Sequence, residues 1–583
     1  MPIASNNLVF VDKILDAVHG FIGLTEVEKR IERLPIFKRL CDIAQLGLIY
    51  RIFPGARHSR YIHSLGVMHI ADKIAIALGE NTFFRQFIRL AGMLHDIGHY
   101  PFSHNVEQVY REFKDNKKFA STYPSSRKEA MNFLTSPKSD DMNAEYKQQL
   151  DEKPRDSLHH EAIGRYIIAN NKKLHNVIID CFLLIPEHSN DINQQRTLNQ
   201  HFITDYKSIN DRRGTSGKEQ FPLTNINNDN WQNNKVLDEI CGRLCDDIGC
   251  VICGEIEAEA SINELGQRLS LAVQIIHSEM DADNLDYLLH DATFSGTTYG
   301  IMDIDMLIST YQKRKFKISE NTDGKEHILL GIDEKGANFA DQFFINRYMA
   351  YSNVIHNKYS SVLGGMVMHC VMNLLAYGKY NDFMPSPKTD GSGKDGVRKW
   401  IDELNNDNNK YLLFTDSTIL YMLNTISLEN KKIFENTKNV FKQFRDCLAL
   451  NCKKNYQIME INSKDMDAKL NSVILAENLH FSDNEEAWFS YRFEHKCITD
   501  QIPKSMFDKI LKRKINNGAS PVEIEKQKAD RACYGIPVFS KDEEPGLISL
   551  ENVKLIVDKE ESMLKRMIGM QYSFFRKYDM NPA

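Results

Sequence analysis

Leu94-His-Asp-Ile-Gly-His-Tyr-Pro-Phe-Ser-His104 closes a segment with helical spacing. Phe84, Phe87, Ile88, Ala91, Leu94 and Ile97 recur mostly at steps of three and four, the period of a helix that buries one face. Gly98 and Pro101 end that helix. His95 and Asp96 therefore stand at the end of an apolar helix, where a polar pair is costly unless it is partnered or holds a metal. Imidazole plus carboxylate suits a divalent transition metal. Adjacent helical residues diverge by about 100°, so both reach one ion only where the helix end points past it. A glycine-terminated end permits that.

Two more stretches extend the pattern. Arg60-Tyr-Ile-His-Ser-Leu-Gly66 supplies His63 upstream. Asp281-Ala-Asp-Asn-Leu-Asp-Tyr-Leu-Leu-His-Asp291 places Asp283, Tyr287 and Asp291 four apart on one helix face, with Asp286 and His290 beside them. A polar stripe of that kind is either solvated or lines a cleft. Each fragment alone is weak, because a lone histidine is usually ordinary core or surface and a His-Asp pair is common. The three together are specific, and they single out His63, His95, Asp96 and Asp283.

The chain has 583 residues, a prior of about four domain-sized units or one large helical domain with insertions. Apolar residues make 42% and charged residues 26%, which excludes a disordered, collagen-like or disulfide-scaffold chain. Lys and Arg number 73 against 79 Asp and Glu, a net charge of −6 that disfavours a globally basic nucleic-acid binder. No apolar run approaches the roughly 18 residues of a membrane span, and the first residues lack the basic-then-apolar order of a signal peptide. Eleven scattered cysteines are consistent with reduced thiols, so a soluble cytoplasmic protein is expected. Cys241, Cys245, Cys250 and Cys253 contain one CxxC only, and buried thiols are expected there rather than a zinc site.

The spacing predicts a mainly α fold with few short strands. Polar stretches at about 113–157 and 186–234 are expected as insertions, and a turn-rich loop at about 385–397. Helices are expected within 237–291 and 338–377, then at 416–425, 487–491, 504–513 and 550–567. Residues 451–583 carry no readable motif and are expected to form a mixed C-terminal region whose role stays open, regulation and oligomerisation among the options.

Together the motifs resemble the HD-domain superfamily, and within it the deoxynucleoside triphosphate triphosphohydrolases. That group includes bacterial dGTPases and the mammalian dNTPase with SAM and HD domains. The likeness begins at Asp16-Ala-Val-His-Gly20 and runs through Phe37-Lys-Arg-Leu40, Gln45-Leu-Gly47 and Phe53-Pro-Gly-Ala-Arg-His-Ser-Arg60. It takes in the three stretches above and His159-His-Glu161, and thins at 344–358 and at Thr415-Asp-Ser-Thr-Ile-Leu420. It implies an HD helical core over residues 1–450, without a SAM domain.

By this resemblance His63, His95, Asp96 and Asp283 hold a transition metal (Mn, Fe or Zn), while Mg accompanies the nucleotide. Water attacks the α-phosphorus and the 5′-oxygen leaves, giving a deoxynucleoside and inorganic triphosphate. His104 serves as acid/base, and His99 and His160 lie around the phosphates. Glu107 orients His104, and Glu161 orients His160. Arg60 and Arg347 bind phosphate, a task that suits a guanidinium fork. Gln45 and Asp291 hold the sugar 3′-OH, while Leu46 and Tyr287 wall the sugar against a 2′-OH. The resemblance also implies a homo-oligomer, an allosteric nucleotide, and a role in lowering dNTP pools, with phage starvation as one use.

The chain departs from the family at several positions. Asn284 stands where the mammalian enzyme has a lysine, Ile355 where a tyrosine is expected, and Asn357 where a histidine is expected. Tyr100 replaces a glycine and is expected to narrow the pocket. Asp12, Arg33 and Cys41 do not match the guanine-activator pocket. Two other readings stay open: an HD phosphohydrolase acting on a signalling nucleotide, and a non-catalytic nucleotide sensor.

Overall fold

A computed structural model describes residues 8–114, 157–180, 184–186, 196–198, 234–255, 264–278, 280–317, 326–377, 382–428, 456–462, 489–494, 537–539, 554–555 and 570–577. The fold is mainly α. It opens on an antiparallel hairpin of β1 (Asp12–Asp16) and β2 (Gly20–Leu24), in register from Asp12↔Leu24 to Asp16↔Gly20. Helix α1 (Glu26–Glu32) follows, its start secured by the Glu28 carboxylate, which accepts the Thr25 N–H at 2.9 Å.

Helices α2 (Arg60–Ala77) and α3 (Thr82–Leu94) frame the site. Asn81 caps α3 by accepting the Phe84 N–H at 2.8 Å. Both helices are buried on most sides, so the charges they carry are paired. Arg89 donates to both oxygens of Glu28 at 2.7 Å and to Asp72 at 3.1 Å. Arg85 holds the same Asp72 at 2.8 and 3.1 Å. This network ties α1, α2 and α3 together; removing one partner would leave a buried charge uncompensated.

Around this frame lie α4 (His104–Lys114), α5 (His160–Asn170), α6 (Lys172–Ile178), α7 (Asn234–Ile252), α8 (Glu264–Ile276) and α9 (Ala282–Ser295). Asp281 caps α9, accepting the Asn284 N–H at 2.6 Å, and Gly296 ends it in the left-handed conformation. After α10 (Ile304–Ser309) comes a hairpin, β3 (Tyr311–Lys317) and β4 (Glu326–Asp333). Then follow α11 (Ala337–Ala350), a π-helical turn (Tyr351–Ile355), α12 (Lys358–Tyr377), α13 (Gly396–Glu403) and α14 (Asp416–Leu428). One hydrophobic core runs through all of this, from Ile22 to Leu423.

The later strands are β5 (Tyr456–Asn462), β6 (Phe489–Glu494), β7 (Pro537–Phe539), β8 (Lys554–Leu555) and β9 (Met570–Lys577). β9 sits between β5 and β6, antiparallel to both. β7 adds in parallel to β4, and β8 pairs with β7. Two helix expectations are corrected here. Residues 489–491 are strand, because Phe489, Tyr491 and Phe493 alternate with Ser490, Arg492 and Glu494 at period two and β9 supplies a partner. Lys554 and Leu555, within the expected helix 550–567, pair with Val538 and Pro537.

The helix expected at 504–513 lies outside the described residues. So do the two polar insertions, apart from their edges and a short pairing of Leu184–Pro186 with Arg196–Leu198. Cys241, Cys245 and Cys253 are buried and stand outside any disulfide among the described residues. Among the described residues no helix is long and apolar enough to cross a membrane.

Candidate active site

His63 on α2 and His95 at the end of α3 face each other nearly at right angles, ring centroids 5.1 Å apart. Each ring is fixed at Nδ1. His63 donates to Asp286 Oδ2 at 2.7 Å, and His95 donates to the Gly92 carbonyl at 2.7 Å. That leaves both Nε2 atoms turned to the same space, buried and without a well-formed hydrogen bond. Asp283 Oδ1, from α9, lies 3.0 Å from His63 Nε2 and 3.9 Å from His95 Nε2. Asp96 approaches to 3.8 Å of His63 Nε2 and 3.5 Å of His95 Nε2. Two imidazole lone pairs and two carboxylates thus converge from distant parts of the chain, a donor set that fits a divalent transition metal.

The electrostatics agree with that use. Burial pushes the Asp96 carboxyl up, but the Arg60 guanidinium, 2.7 Å away, and the neighbouring imidazoles hold it well below the usual carboxylate range. Asp283 is likewise opposed by burial and held at about 2 by His63 and His95. Burial disfavours charge on His63, yet the Asp283 and Asp286 carboxylates beside it raise it to about 10, so without an ion its Nε2 carries a proton that a metal would displace. The set is a concentration of negative charge that a proton or a cation must neutralise.

A second cluster adjoins the first. His99, His104 and His160 stand within 4.3–5.4 Å of one another by ring centroid. Glu107 Oε2 accepts from Nδ1 of both His104 and His160, at 3.0 Å each. His99 Nδ1 accepts the Tyr100 backbone N–H at 3.0 Å, so its proton sits on Nε2, which is buried without a partner. Burial, Arg60 and His160 hold His99 well below the usual histidine range. It is a neutral donor aimed into the site. Arg60 joins the two clusters, donating from Nη1 to Asp96 and from Nε to the Ser103 hydroxyl at 3.0 Å.

Two expectations are corrected. Glu161 does not orient His160; it turns to His159 at 3.3 Å and His277 at 3.7 Å. Glu107 on α4 takes its place, because neighbours on one helix diverge by about 100°. Tyr100 does not narrow the pocket. Its ring is buried beside Tyr110 and Phe414, and its hydroxyl donates to the Leu158 carbonyl at 2.9 Å.

On a third side, Gln45 is buried and its Oε1 has no hydrogen-bond partner. Its N–H is bound to the His58 carbonyl at 3.0 Å, and the His58 ring bonds Asp291 Oδ1 at 2.7 Å. Gln45 and Asp291 are thereby linked through His58. Leu46 packs beside Ile49, Ala56 and Val354. Tyr287 meets the Tyr351 ring edge-on at 6.2 Å, and the Arg347 guanidinium lies 5.8 Å over the same ring. Tyr351 opens the π-helical turn near the position where Ile355 replaces the expected tyrosine. A sequence signal for it was the aromatic residue one turn after Arg347.

The sequence also does not reveal the layer behind His63. Asp286 Oδ2 accepts from His63 and from His290 Nδ1 at 2.9 Å, and Oδ1 bonds His19 Nε2 at 2.6 Å. His290 Nε2 continues to Asp16 Oδ2 at 3.1 Å. A Cβ on Gly66 would lie 1.9 Å from Asp286 Oδ1, so only glycine lets α9 bring this carboxylate against α2. The β1–β2 hairpin is thus wired to a candidate metal ligand.

The HD domain family matches residues 60–141, which hold His63, His95 and Asp96. The chain therefore contains an HD domain over this segment. Over 98 residues the chain is 45% identical to the deoxynucleoside triphosphate triphosphohydrolase SAMHD1 of Homo sapiens, covering 16% of each chain. Over 94 residues it is 45% identical to an uncharacterized protein of Methanocaldococcus jannaschii, covering 16% of this chain and 20% of that one. The chain spans a fifth or less of the length of these relatives. A solved phosphohydrolase of Bacteroides thetaiotaomicron shares the fold, with TM-score 0.50 and 15% identity over 97% of this chain and 99% of that one.

Proposed function

We propose that this HD-domain protein is a metal-dependent dNTP triphosphohydrolase, cleaving a dNTP to a deoxynucleoside and inorganic triphosphate. The observation that carries the reading is a metal-type donor set adjoining a three-histidine cluster, with Arg60 bonded to Asp96 of the first and to Ser103, the residue before His104 of the second. The name of the human relative, matched over this part of the chain, supports the substrate class. His63, His95, Asp96 and Asp283 would hold a divalent cation, which when bound would lower the pKa of a nearby water and polarise a phosphoryl oxygen.

The chain's own residues do the rest. His99 donates from Nε2 to a phosphate oxygen, and Arg60 and Arg347 offset the triphosphate charge. The water oxygen bonds to the α-phosphorus and gives up one proton, the bond from phosphorus to the 5′-oxygen breaks, and that oxygen takes a proton. His104, whose Nδ1 donates to Glu107 and whose ring burial shifts toward the neutral form, takes the water's proton at Nε2 and passes it to the 5′-oxygen, with His160 held alongside on the same carboxylate. Gln45 and Asp291 hold the 3′-OH, and Leu46 and Tyr287 close on the sugar where a 2′-OH would sit. Mg accompanies the nucleotide, and a homo-oligomer with an activating nucleotide belongs to the same reading.

The test is a product-resolved panel of each dNTP, singly and in pairs, with Mn²⁺ and Mg²⁺ present. Release of triphosphate and deoxynucleoside is expected. Nucleoside monophosphate with pyrophosphate, or hydrolysis of a cyclic dinucleotide or (p)ppGpp in place of dNTPs, would overturn the reading.

A further inference from the structure

Thr415-Asp-Ser-Thr-Ile-Leu420, where the family likeness thins, lies against the loop that carries His104. Two successive non-glycine residues of that loop have positive φ, Phe102 at 52° and Ser103 at 55°. Each is a strained conformation for a residue with a side chain and persists only where its surroundings over-determine it. Asp416 does so. Its Oδ1 accepts the Phe102 N–H at 2.6 Å, and its Oδ2 accepts the Ala44 N–H at 3.0 Å. One carboxylate therefore fastens the His104 loop to the segment that leads into Gln45. The Ser103 hydroxyl reinforces the junction, with the Ala44 carbonyl at 2.9 Å and that of Gln45 at 3.2 Å.

Arg39 acts in parallel. Its Nε and Nη2 donate to the Phe414 carbonyl at 3.1 and 2.7 Å, and its Nη1 to the His99 carbonyl at 3.0 Å. The Tyr411 ring lies 4.5 Å beneath its guanidinium. The segment 411–416 thus grips both ends of the stretch from His99 to His104. Burial pushes the Asp416 carboxyl up to about 7, against the pull of its two backbone N–H partners and of Arg39 and Arg60.

We propose that Asp416 is a positioning residue that holds Phe102 and Ser103 in their strained conformation, so that His104 and Gln45 face one substrate. The kinetic part rests on the dNTP reading above; the structural part does not. Asp416→Asn keeps the shape but sets an amide N–H against one of the two backbone N–H groups. The full chain is loaded with Mn²⁺ and followed by metal content, by dNTP kinetics and by amide hydrogen exchange.

The metal content should match the parent. Exchange in peptides covering 99–106 should rise about tenfold or more. The kcat should fall about tenfold or more, by a larger factor than KM rises, as expected when the proton-transfer group His104 is displaced and the sugar contact of Gln45 loosens with it. Parental exchange in those peptides overturns the proposal whatever the activity, and so does accelerated exchange with parental kcat. Should the parent hydrolyse no dNTP, the functional reading fails while exchange still decides the clamp. If Asp416→Asn does not fold, Arg39→Lys is the second variant. Its single ammonium cannot span Phe414 and His99, so exchange should rise in the same peptides, and an unchanged pattern counts against the clamp.

Discussion

Replacing Asp286 by asparagine tests the construction behind the candidate metal centre. The carboxylate is fully buried and accepts from three imidazoles, at 2.7 Å from His63, 2.9 Å from His290 and 2.6 Å from His19. Asparagine preserves the volume but offers one acceptor oxygen and one donor nitrogen, so at least one imidazole meets a donor. Two effects follow, of different size. An orienting carboxylate behind a ligand histidine is worth about 10–100-fold in metal affinity, or about 1.4–2.7 kcal/mol. That range is the net of lost orientation and of easier proton release from His63. Removing the partner of buried charged groups also costs about 3–5 kcal/mol of folding stability.

The two effects are separated by calorimetric titration of the metal-stripped chain with Mn²⁺ and by urea unfolding of the same protein. A folded Asp286→Asn protein that binds Mn²⁺ as tightly as the parent, within about twofold, would refute the reasoning that Asp286 sets the ring of His63.

Two further outcomes are expected. A Cβ on Gly98 would lie 2.2 Å from the His160 carbonyl oxygen and 2.3 Å from the Gly164 nitrogen, and backbone cannot yield as a side chain does. Gly98→Ala should therefore cost about 1–3 kcal/mol or more in thermal unfolding and pull His160 away from Glu107. The second concerns pH. Burial disfavours a charged His290, but Asp286 and Asp16 outweigh it and raise the ring to about 10, above the 6.5 of an unfolded chain. The stability it contributes is complete below pH 6.5 and lost as the pH rises through about 10. The unfolding free energy of metal-stripped protein from urea melts should fall across that window, by at most about 1.4 kcal/mol per pH unit from this group. His290→Gln should flatten the fall in part, since His63 shares the same carboxylate; an unchanged slope would contradict this.

The mainly α character, the helix ending in His95 and Asp96, and the acidic face carrying Asp283 are all legible in the sequence. They depend on local period and on residue types that are costly to bury without a task. The four residues proposed to hold a metal are named at this level, and the structure sets donor atoms of His63, His95 and Asp283 within 4.8 Å of one another with Asp96 alongside. Three-dimensional pairing decides the rest. Adjacency to His160 points to Glu161, yet the bond comes from Glu107, because a helix turns consecutive side chains apart while two helices can bring distant ones into contact. The strand over Phe489–Glu494 depends on a partner in Met570–Lys577 that no local window contains. The carboxylate that fastens Phe102 lies 314 positions away, and His19 meets Asp286 across 267. Local patterning carries the energetic preference for each element and the chemistry each can offer. Which buried donor meets which acceptor follows only when the core closes and every polar group inside it must find a partner.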